Sequence, residues 1–273
     1  MLDAPSTARR TRRPRRIDSG HVEPATSPDV DRRISLEGCL NFRDLGGYPT
    51  TSGRAVGWRR VFRSDALHHL TGPDVARLRD ELGVRVVIDL RSTAELRADP
   101  RRPLEGEPIA VHHAPLFDGE RSTTDSGMSR GDMSLGERYM GLAEFAKDRI
   151  AFVLETIANA PGSAVYHCAA GKDRTGVISA LLLGLVGVRD DLIAIDYAAT
   201  RDSLDAIIAR LMATEGYETM FETLPPDTLH AHPETILEML DLLRKRHGSI
   251  HDYARSAGVS AAALDRLETK LLG

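Results

Sequence analysis

Short apolar runs alternate with longer amphipathic stretches along most of the chain. The runs over residues 84–90 and 163–167 are too short for helices, and their composition predicts buried strands. Residues 84–90 are nearly all apolar and β-branched, which is typical of a strand covered on both faces of a parallel sheet. Residues 59–63 and 109–115 predict two further strands. This alternation predicts an α/β fold with a central, mostly parallel sheet flanked by helices.

Turn and cap signals place the elements between these strands. A hairpin is predicted over residues 41–58, because a turn containing Gly53 separates two short extended stretches. Thr71 then has the position of a helix N-cap, and Gly83 ends the helix that follows it. After residues 117–136, apolar side chains recur at helical spacing and predict one core helix. The members of this stripe are Tyr139, Leu142, Phe145, Val153, Leu154 and Ile157.

The last third of the chain is predicted to be mainly helical. A long apolar run over residues 175–186 predicts a central helix, and two amphipathic helices follow over 190–200 and 201–212. Residues 213–233 predict a short helix and an irregular loop. Glycines divide residues 233–273 into three helices, which we expect to cover one face of the sheet.

The composition of residues 1–33 differs from that of the rest of the chain. Six arginines between positions 9 and 16 lie among Pro, Ser and Thr, and such a segment is expected to be a disordered basic tail. An arm that binds nucleic acid or an anionic membrane is an alternative, but no aromatic residues are interleaved to stack on bases. The rest of the chain holds 28 basic and 35 acidic residues. This acidic balance argues against nucleic acid as the main substrate.

Residues 34–273 are expected to form one globular domain. No apolar run is long enough to span a membrane, and residues 1–33 have no signal-peptide core, so we expect a cytoplasmic protein unless a non-standard route secretes it. The two cysteines, Cys39 and Cys168, argue against a disulfide framework and suit a reducing compartment. A reversible disulfide between them is an alternative to a packed thiol at Cys39.

The sequence HCAAGKDRTG, residues 167–176, connects the strand 163–167 to the helix 175–186. A tight loop that enters a helix N-terminus directs backbone N–H groups at an anion, and the helix dipole favours negative charge there. The same field favours a thiolate at Cys168, while Arg174 can bind two oxygens of a phosphate. The alternative is a structural cysteine beside a chance Lys-Asp-Arg triplet. We call residues 168–174 the cysteine loop.

Other features narrow the chemistry of the cysteine loop. Asp173 stands where a nucleotide-binding loop of the Walker type needs Ser or Thr, so that kind of site is excluded. Ligands of open parallel sheets lie beyond the carboxyl ends of the strands, where Arg63, Asp89, Arg91 and Asp118 also occur. We expect one site at this edge, although Arg63 and Arg91 could instead form structural salt bridges with neighbouring aspartates.

Four motifs together resemble the cysteine-dependent (C-x5-R) protein tyrosine and dual-specificity phosphatases, and in particular a bacterial branch of them. They are HCAAGKDRTG and the segments 41–47, 62–65 and 87–92, and the resemblance covers residues 34–272. It implies the phosphatase fold and hydrolysis of phosphate monoesters, above all protein phosphotyrosine, through a phosphocysteine. It also implies that neither a metal nor a cofactor takes part. A helical lid over the site is implied for residues 201–233, and the long polar segment 117–136 is a second lid candidate.

The expected roles follow from this chemistry. Cys168 is the nucleophile, and Thr175 can donate a hydrogen bond to it as the leaving group. His167 is expected to orient the loop by bonding to backbone. We expect the phosphate oxygens to be bound by residues of the loop, namely Ala169, Ala170, Gly171, Lys172 and Arg174.

The general acid is predicted to be Asp173. The Trp-Pro-Asp loop of the well-known eukaryotic enzymes is absent, because Arg59 follows the single tryptophan, Trp58. The bacterial branch carries an aspartate immediately before the loop arginine, which implies the role for Asp173. A salt bridge of Asp173 with a neighbouring cation is the structural alternative. The other candidate acids are Asp89, Asp118 and Asp125.

Alternative functions stay open at this stage. Lys172 and Arg174 together would suit a multiply phosphorylated headgroup, so a phosphoinositide or dual-specificity phosphatase is the first alternative. A phosphoresidue-binding pseudophosphatase is the second, and rhodanese-like sulfur transfer is the third. His230 and His232 lack Cys or carboxylate partners at ligand spacing, so no metal site is predicted.

Overall fold

The computed structural model describes residue 1 and residues 30–99, 101–118, 133–213 and 226–273. Within these ranges, five strands form one sheet in the order β1-β2-β5-β3-β4. Only β1 is antiparallel to its neighbour, so the predicted mostly parallel sheet is confirmed. The strands are β1 (Arg43–Asp44), β2 (Val61–Ser64), β3 (Val84–Asp89), β4 (Ala110–His113) and β5 (Ser163–His167).

The described helices flank this sheet. The first part of the chain contributes α1 (Gly72–Ala76), which continues as a π-helical turn over Arg77–Glu81, and α2 (Thr93–Ala98). The middle part contributes α3 (Leu135–Phe145), α4 (Lys147–Asn159), α5 (Asp173–Leu185), α6 (Asp190–Ala198) and α7 (Arg201–Met212). The last part contributes α8 (Pro233–His247), α9 (Ile250–Ser256) and α10 (Ala261–Leu272). Short 3-10 turns cover Leu67–His69 and Pro226–Leu229.

Strand register brings the predicted polar strand ends together. The central strand β5 lies between β2 and β3, and its last residue, His167, pairs with Ser64 on one side and Asp89 on the other. Three parallel strands therefore end at the same level, directly before Cys168. The cysteine loop begins at the middle of this edge, as expected for a ligand site of a parallel sheet.

The two faces of the sheet are covered by separate apolar clusters. Alternate residues of β5 face opposite sides, so Ala164 and Tyr166 belong to the cluster that contains α5, and Val165 belongs to the other. Helix α5 is buried from Arg174 to Leu185 with the exception of Gly184. It packs between the sheet and the helices α6, α8 and α9, and this arrangement holds the cysteine loop on a rigid base.

Local signals predicted several element boundaries correctly. Thr71 caps α1 through a capping box with Asp74, and Gly83, with φ of +64°, ends the turn that follows it. The predicted turn at Gly53 is present, where Thr50 and Arg54 pair across it. The three C-terminal helices are broken at Gly248 and Gly258 as predicted.

Two predictions on the body of the chain were wrong. The stripe of apolar residues after 136 forms two helices, because the chain leaves helical geometry at Ala146, with φ of −98° and ψ of 21°. The break takes Phe145 out of the core, and its side chain is 61% exposed. The tail was expected to run to residue 33, yet Arg32 is buried, donates to the Gly46 carbonyl at 2.8 Å and stacks on Tyr48.

Other expectations fall on residues outside the described ranges, which exclude 2–29, 119–132 and 214–225. Most of the predicted basic tail, most of the lid candidate 117–136 and residues 214–225 of the lid segment 201–233 lie there. The described part of the lid segment 201–233 includes α7, whose Ile207 and Leu211 pack against Ala169 of the cysteine loop. Among the described residues, no helix has both the length and the apolar composition needed to cross a membrane.

Candidate active site

The cysteine loop leaves β5 and passes closely over the end of β2. Cys168 is a free, buried thiol at the start of the loop. Gly171 has φ of +67°, and a Cβ at this position would lie 2.5 Å from the Ser64 carbonyl oxygen. Only glycine combines this left-handed backbone with so close an approach. The loop conformation therefore depends on Gly171.

Side chains behind the loop orient its peptide groups. Asn41 Nδ2 donates to the Ala170 carbonyl at 3.1 Å, and Arg63 Nη2 donates to the Gly171 carbonyl at 2.7 Å. In a trans peptide the N–H group points opposite to the carbonyl. The N–H groups of Gly171 and Lys172 consequently point away from these donors, as an oxyanion site requires.

Arg63 belongs to a buried charge cluster beneath the loop. Its Nη1 lies 2.5 Å from Asp196 Oδ2, and Arg43 Nε lies 3.0 Å from Asp196 Oδ1. All three side chains are at most 3% exposed. Burial alone would raise the pKa of Asp196, but the two guanidinium groups lower it below its ordinary value. Arg63 thus supports the loop from behind through its bond to the Gly171 carbonyl, and it forms a structural salt bridge with Asp196 of α6 rather than with the predicted strand-end aspartate.

Arg174 is held by a carboxylate that the sequence did not identify. Its Nη1 and Nη2 donate to the two oxygens of Glu95 at 2.5 and 2.7 Å. Burial opposes ionisation of this carboxyl, but Arg174 lowers the pKa of Glu95 to about 2. Glu95 is fixed in turn by a capping box with Ser92 at the start of α2. A Ser-x-x-Glu pattern at residues 92–95 was the only sequence signal for it, and that pattern indicates a helix start.

Phe117 completes the surroundings of Arg174. The centre of its ring lies 4.9 Å from the guanidinium carbon, which places the cation over an aromatic face. Together with Glu95, this contact fixes the plane of the guanidinium. A planar guanidinium held in this way has the fixed fork geometry that binds two oxygens of an oxyanion.

Lys172 and Asp173 form an ion pair on the other side of the loop. Lys172 Nζ lies 2.7 Å from Asp173 Oδ1, and Tyr139 Oη donates to the same oxygen at 2.5 Å. Tyr197 Oη lies 2.8 Å from Tyr139 Oη. Tyr139 was predicted as a core residue because its apolar ring has the helical spacing of one, and its hydroxyl adds a contact that periodicity does not reveal.

The protonation of this group follows from its contacts. Burial would raise the pKa of Asp173, but Lys172 and Tyr139 lower it. Burial would lower the pKa of Lys172, but Asp173 raises it. The Asp173 carboxylate is still 36% exposed, so it can reach a bound ester. In the ligand-free site Asp173 is therefore ionised and Lys172 is charged.

His167 and Asp89 lie beneath the first residue of the loop. His167 Nδ1 is 3.3 Å from the Cys168 carbonyl oxygen, a contact with backbone of the kind predicted for it. Burial lowers the pKa of His167, so the ring is neutral. Burial works against ionisation of Asp89, yet its pKa is lowered by His167 and by Arg91, whose Nη2 lies 2.7 Å away.

The remaining predicted residues have different surroundings. Thr175 Oγ1 is buried and has no hydrogen-bond partner among the described residues, so it is available to a group that arrives in the loop. Asp118 accepts a hydrogen bond from the Thr93 backbone at 2.9 Å, beside the start of α2. Asp125 lies outside the described residues. Cys39 packs in the cluster on the sheet face away from α5, and burial raises the pKa of its thiol.

Within the described part of the chain, one group of side chains is close enough to consider for a metal, namely His68, His69 and Asp99. Arg91 Nη1 lies 2.9 Å from His68 Nδ1, and Arg101 Nη1 lies 3.0 Å from His69 Nδ1. Because a guanidinium only donates, both Nδ1 atoms accept and both Nε2 atoms carry the ring proton. Neither ring then offers a lone pair, so this group does not fit a metal. His230 and His232 belong to no such group among the described residues.

A family model and the curated relatives agree on one protein family for this chain. A family model described as "Tyrosine phosphatase family" matches residues 34–273. The chain is 31% identical to the triple specificity protein phosphatase PtpB of Mycobacterium tuberculosis, over 87% of this chain and 98% of that protein. It is 28% identical to a tyrosine-protein phosphatase of Nostoc commune, over 82% of this chain and 78% of that protein. Among solved structures, it is similar to the catalytic core of Siw14, with a TM-score of 0.37, 15% identity, and coverage of 72% of this chain and 92% of that one.

Proposed function

We propose that this chain, which belongs to the tyrosine phosphatase family, hydrolyses phosphotyrosine in proteins through a phosphocysteine on Cys168. The observation that supports this most directly is the geometry of the cysteine loop. Its carbonyl groups are bound from behind by Asn41 and Arg63, so two of its N–H groups point to the opposite side. A buried free thiol stands at one end of the loop and a fixed guanidinium at the other.

The first step is transfer of the phosphoryl group. The Cys168 thiolate attacks phosphorus, a sulfur–phosphorus bond forms, and the bond to the tyrosine oxygen breaks. The loop N–H groups and Arg174 bind the three equatorial oxygens, whose charge grows in the transition state. The leaving oxygen takes a proton from Asp173, which must enter this step in its acid form.

Binding of the substrate can supply that acid form. Lys172 holds Asp173 ionised in the free site, with 2.7 Å between Nζ and Oδ1. A phosphate dianion in the loop competes for the Lys172 ammonium and adds negative charge near Asp173. Both effects raise the pKa of Asp173 towards the acid form.

The second step is hydrolysis of the phosphocysteine. Asp173, now a carboxylate, takes a proton from water, the oxygen of that water attacks phosphorus, and Cys168 leaves as a thiolate. Thr175 Oγ1, which is buried without a partner among the described residues, can donate a hydrogen bond to the departing thiolate. Inorganic phosphate then leaves, Asp173 releases the proton it took from water to the solvent, and the starting state returns.

The proposal is tested with a phosphotyrosine peptide and two forms of the full chain. Wild type should release phosphate, and a mass spectrum after acid quenching should show one added phosphoryl group. Cys168→Ser should lose both signals while it still binds the peptide. Peptide binding without turnover in wild type would instead favour a phosphoresidue-binding module, and turnover of thiosulfate would favour sulfur transfer.

The role of Asp173 needs a separate test, because the Lys172 ion pair offers a structural alternative. Asp173→Asn should nearly abolish hydrolysis of phenyl phosphate, whose leaving group needs a proton. It should slow p-nitrophenyl phosphate much less, since that leaving group is a weak base. An equal loss on both esters would remove Asp173 from the acid role.

Phosphoinositide or dual-specificity phosphatase activity is a second candidate. Lys172 places a second cation beside Arg174, and the related PtpB is named a triple specificity phosphatase. A headgroup with a neighbouring phosphate would use Lys172 more strongly than a phosphotyrosine does. Lys172→Met should then lower kcat/KM for a phosphoinositide more than for a phosphotyrosine peptide. Equal losses of kcat/KM on the two substrates would favour phosphotyrosine in proteins as the only substrate class.

A further inference from the structure

A cavity of about 420 Å³ lies behind the candidate active site, on the sheet face away from α5. Its volume is in the range of small-molecule sites. Leu67, Val87 and Leu104, which belong to the apolar cluster of that face, form part of its wall. Leu96 and Val111 extend the apolar wall towards the solvent, where Val111 is 55% exposed. We call this space the α2 cavity.

Helix α2 contacts both the α2 cavity, through Leu96, and the last residue of the cysteine loop, through Glu95. It has six residues and none of them is fully buried. Leu96, its central apolar residue, lines the α2 cavity and belongs to none of the apolar clusters formed by the described residues. The preceding residue, Glu95, binds Arg174. This short helix therefore carries the partner of the catalytic arginine while its apolar side chain faces an unfilled space.

The charged side chains around the α2 cavity lie in two places, on its buried inner wall and at its outer part. Asp89, Arg91 and His167 are buried in its inner wall, where the aspartate and the arginine neutralise each other. At the outer part, Arg101 is paired with Asp99. The exposed Arg102 donates to backbone carbonyls and is paired with no carboxylate among the described residues. The exposed Glu105 also lines this outer part, and no ion pair joins it to Arg102 among the described residues. An apolar space with an arginine that no carboxylate pairs at its outer part suits a ligand that has an apolar body and one anionic end.

We propose that the α2 cavity binds a small amphiphilic carboxylate, and that its occupancy packs α2 through Leu96 and so fixes Glu95 against Arg174. The ligand's chain lies along Leu67, Val87 and Leu96, and its carboxylate lies at Arg102. Burial of the ligand's apolar chain drives binding, and Arg102 favours a ligand with a negative charge over an uncharged or cationic one. Because Glu95 and Leu96 are adjacent in one short helix, ligand and substrate phosphate then stabilise the same arrangement.

Binding is tested first, by calorimetry on the full chain. Octanoate is the probe, with octanol and octyltrimethylammonium as uncharged and cationic counterparts. Octanoate should bind saturably in the millimolar range, and octyltrimethylammonium should bind more weakly than octanol. Arg102→Gln should weaken octanoate binding by about two- to fivefold and leave octanol unchanged. Leu96→Trp should fill the space and abolish binding, whereas Arg97→Gln, on the exposed side of the same helix, should have no effect.

Absence of saturable binding to wild type would overturn the proposal, as would octanoate binding that survives Leu96→Trp. The same titration with Cys168→Ser should give the same affinity, because the binding site does not include the thiol. The binding result therefore stands apart from the proposed phosphatase activity, and only the coupling to Arg174 depends on that activity.

The coupling is tested with p-nitrophenyl phosphate. Saturating octanoate should raise kcat/KM by a factor of about five, at the low end of usual coupling between sites. Leu96→Trp should be insensitive to octanoate, and Arg97→Gln should respond like wild type. Binding of octanoate without a change in kcat/KM would overturn the coupling. Inhibition that is competitive with substrate would show instead that octanoate binds at the cysteine loop, and would overturn the assignment of the cavity.

Discussion

Replacing Tyr139 by phenylalanine removes one hydroxyl from the group that keeps Asp173 ionised. The hydroxyl donates to Asp173 Oδ1 at 2.5 Å, while Lys172 Nζ contacts the same oxygen at 2.7 Å and remains in the variant. A hydrogen bond to a charged group contributes about 1.5–3 kcal/mol. Since about 1.4 kcal/mol corresponds to a factor of ten, loss of the bond makes protonation of Asp173 at least about tenfold easier.

The sign of the effect on the pH profile follows from the role of Asp173. An acid catalyst is lost as pH rises through its pKa, and in wild type that pKa is lowered by Lys172 and Tyr139 against the opposing effect of burial. In Tyr139→Phe the pKa is higher, so the acid form persists to higher pH. The alkaline limb of kcat for phenyl phosphate should move to higher pH, and activity on that limb should rise relative to the optimum by about tenfold.

Tyr253→Phe is the matched control for this measurement. Tyr253 is also buried, and its hydroxyl donates to the Ala143 carbonyl of α3 at 2.7 Å, in the same helix that carries Tyr139. It should lose a similar amount of stability and keep the wild-type pH profile. If Tyr139→Phe also kept the wild-type profile, or lost activity equally at every pH, the hydroxyl would have only a packing role.

Two further variants test the buried charges around the loop. Glu95→Gln should lower kcat/KM about 100-fold by removing the partner of Arg174. The pKa of Glu95 is lowered to about 2 in the folded state, against about 4.3 for an ordinary glutamate. The ion pair with Arg174 therefore contributes its full stability above about pH 4.3 and loses it as pH falls towards 2. The melting temperature of Glu95→Gln should consequently depend less on pH between these two values than that of wild type. Asp196→Asn leaves two arginines buried together and should cost about 3–5 kcal/mol in urea unfolding. Asp191→Asn, in an exposed pair, should cost less than about 1 kcal/mol, and equal costs would contradict the argument.

The fold was predictable because its main signals are local. Strands β3 and β5 are apolar runs of strand length, and Thr71 and Gly83 are boundary signals that act within a few residues. The cysteine loop was also recognisable, since its thiol, small residues and guanidinium are contiguous in sequence. Each of these predictions needed only the chemistry of one short segment.

The partners of the loop were not predictable, because they come from distant segments. Glu95 lies 79 residues from Arg174, and Tyr139 lies 34 residues from Asp173. A buried tyrosine with a functional hydroxyl has the same helical spacing as one that only packs. Phe145 shows the opposite error, since it has core spacing but is the last residue of α3 and is exposed where the chain leaves helical geometry at Ala146. Pairing of charges across the fold is decided by tertiary structure, which periodicity does not contain.

The sum of charges around the loop connects substrate binding to the acid step. Among the described residues, the ion pairs around the loop join five cations to four carboxylates, namely Arg43, Arg63, Arg91, Lys172 and Arg174 with Asp89, Glu95, Asp173 and Asp196. The thiolate that the proposed mechanism places on Cys168 would balance the remaining positive charge. A phosphate monoester dianion adds two negative charges, and protonation of Asp173 removes one of them at the place where the leaving oxygen needs a proton. A sulfate monoester has nearly the same shape but adds a single negative charge and favours this protonation less, so we expect the site to discriminate against sulfate esters by charge.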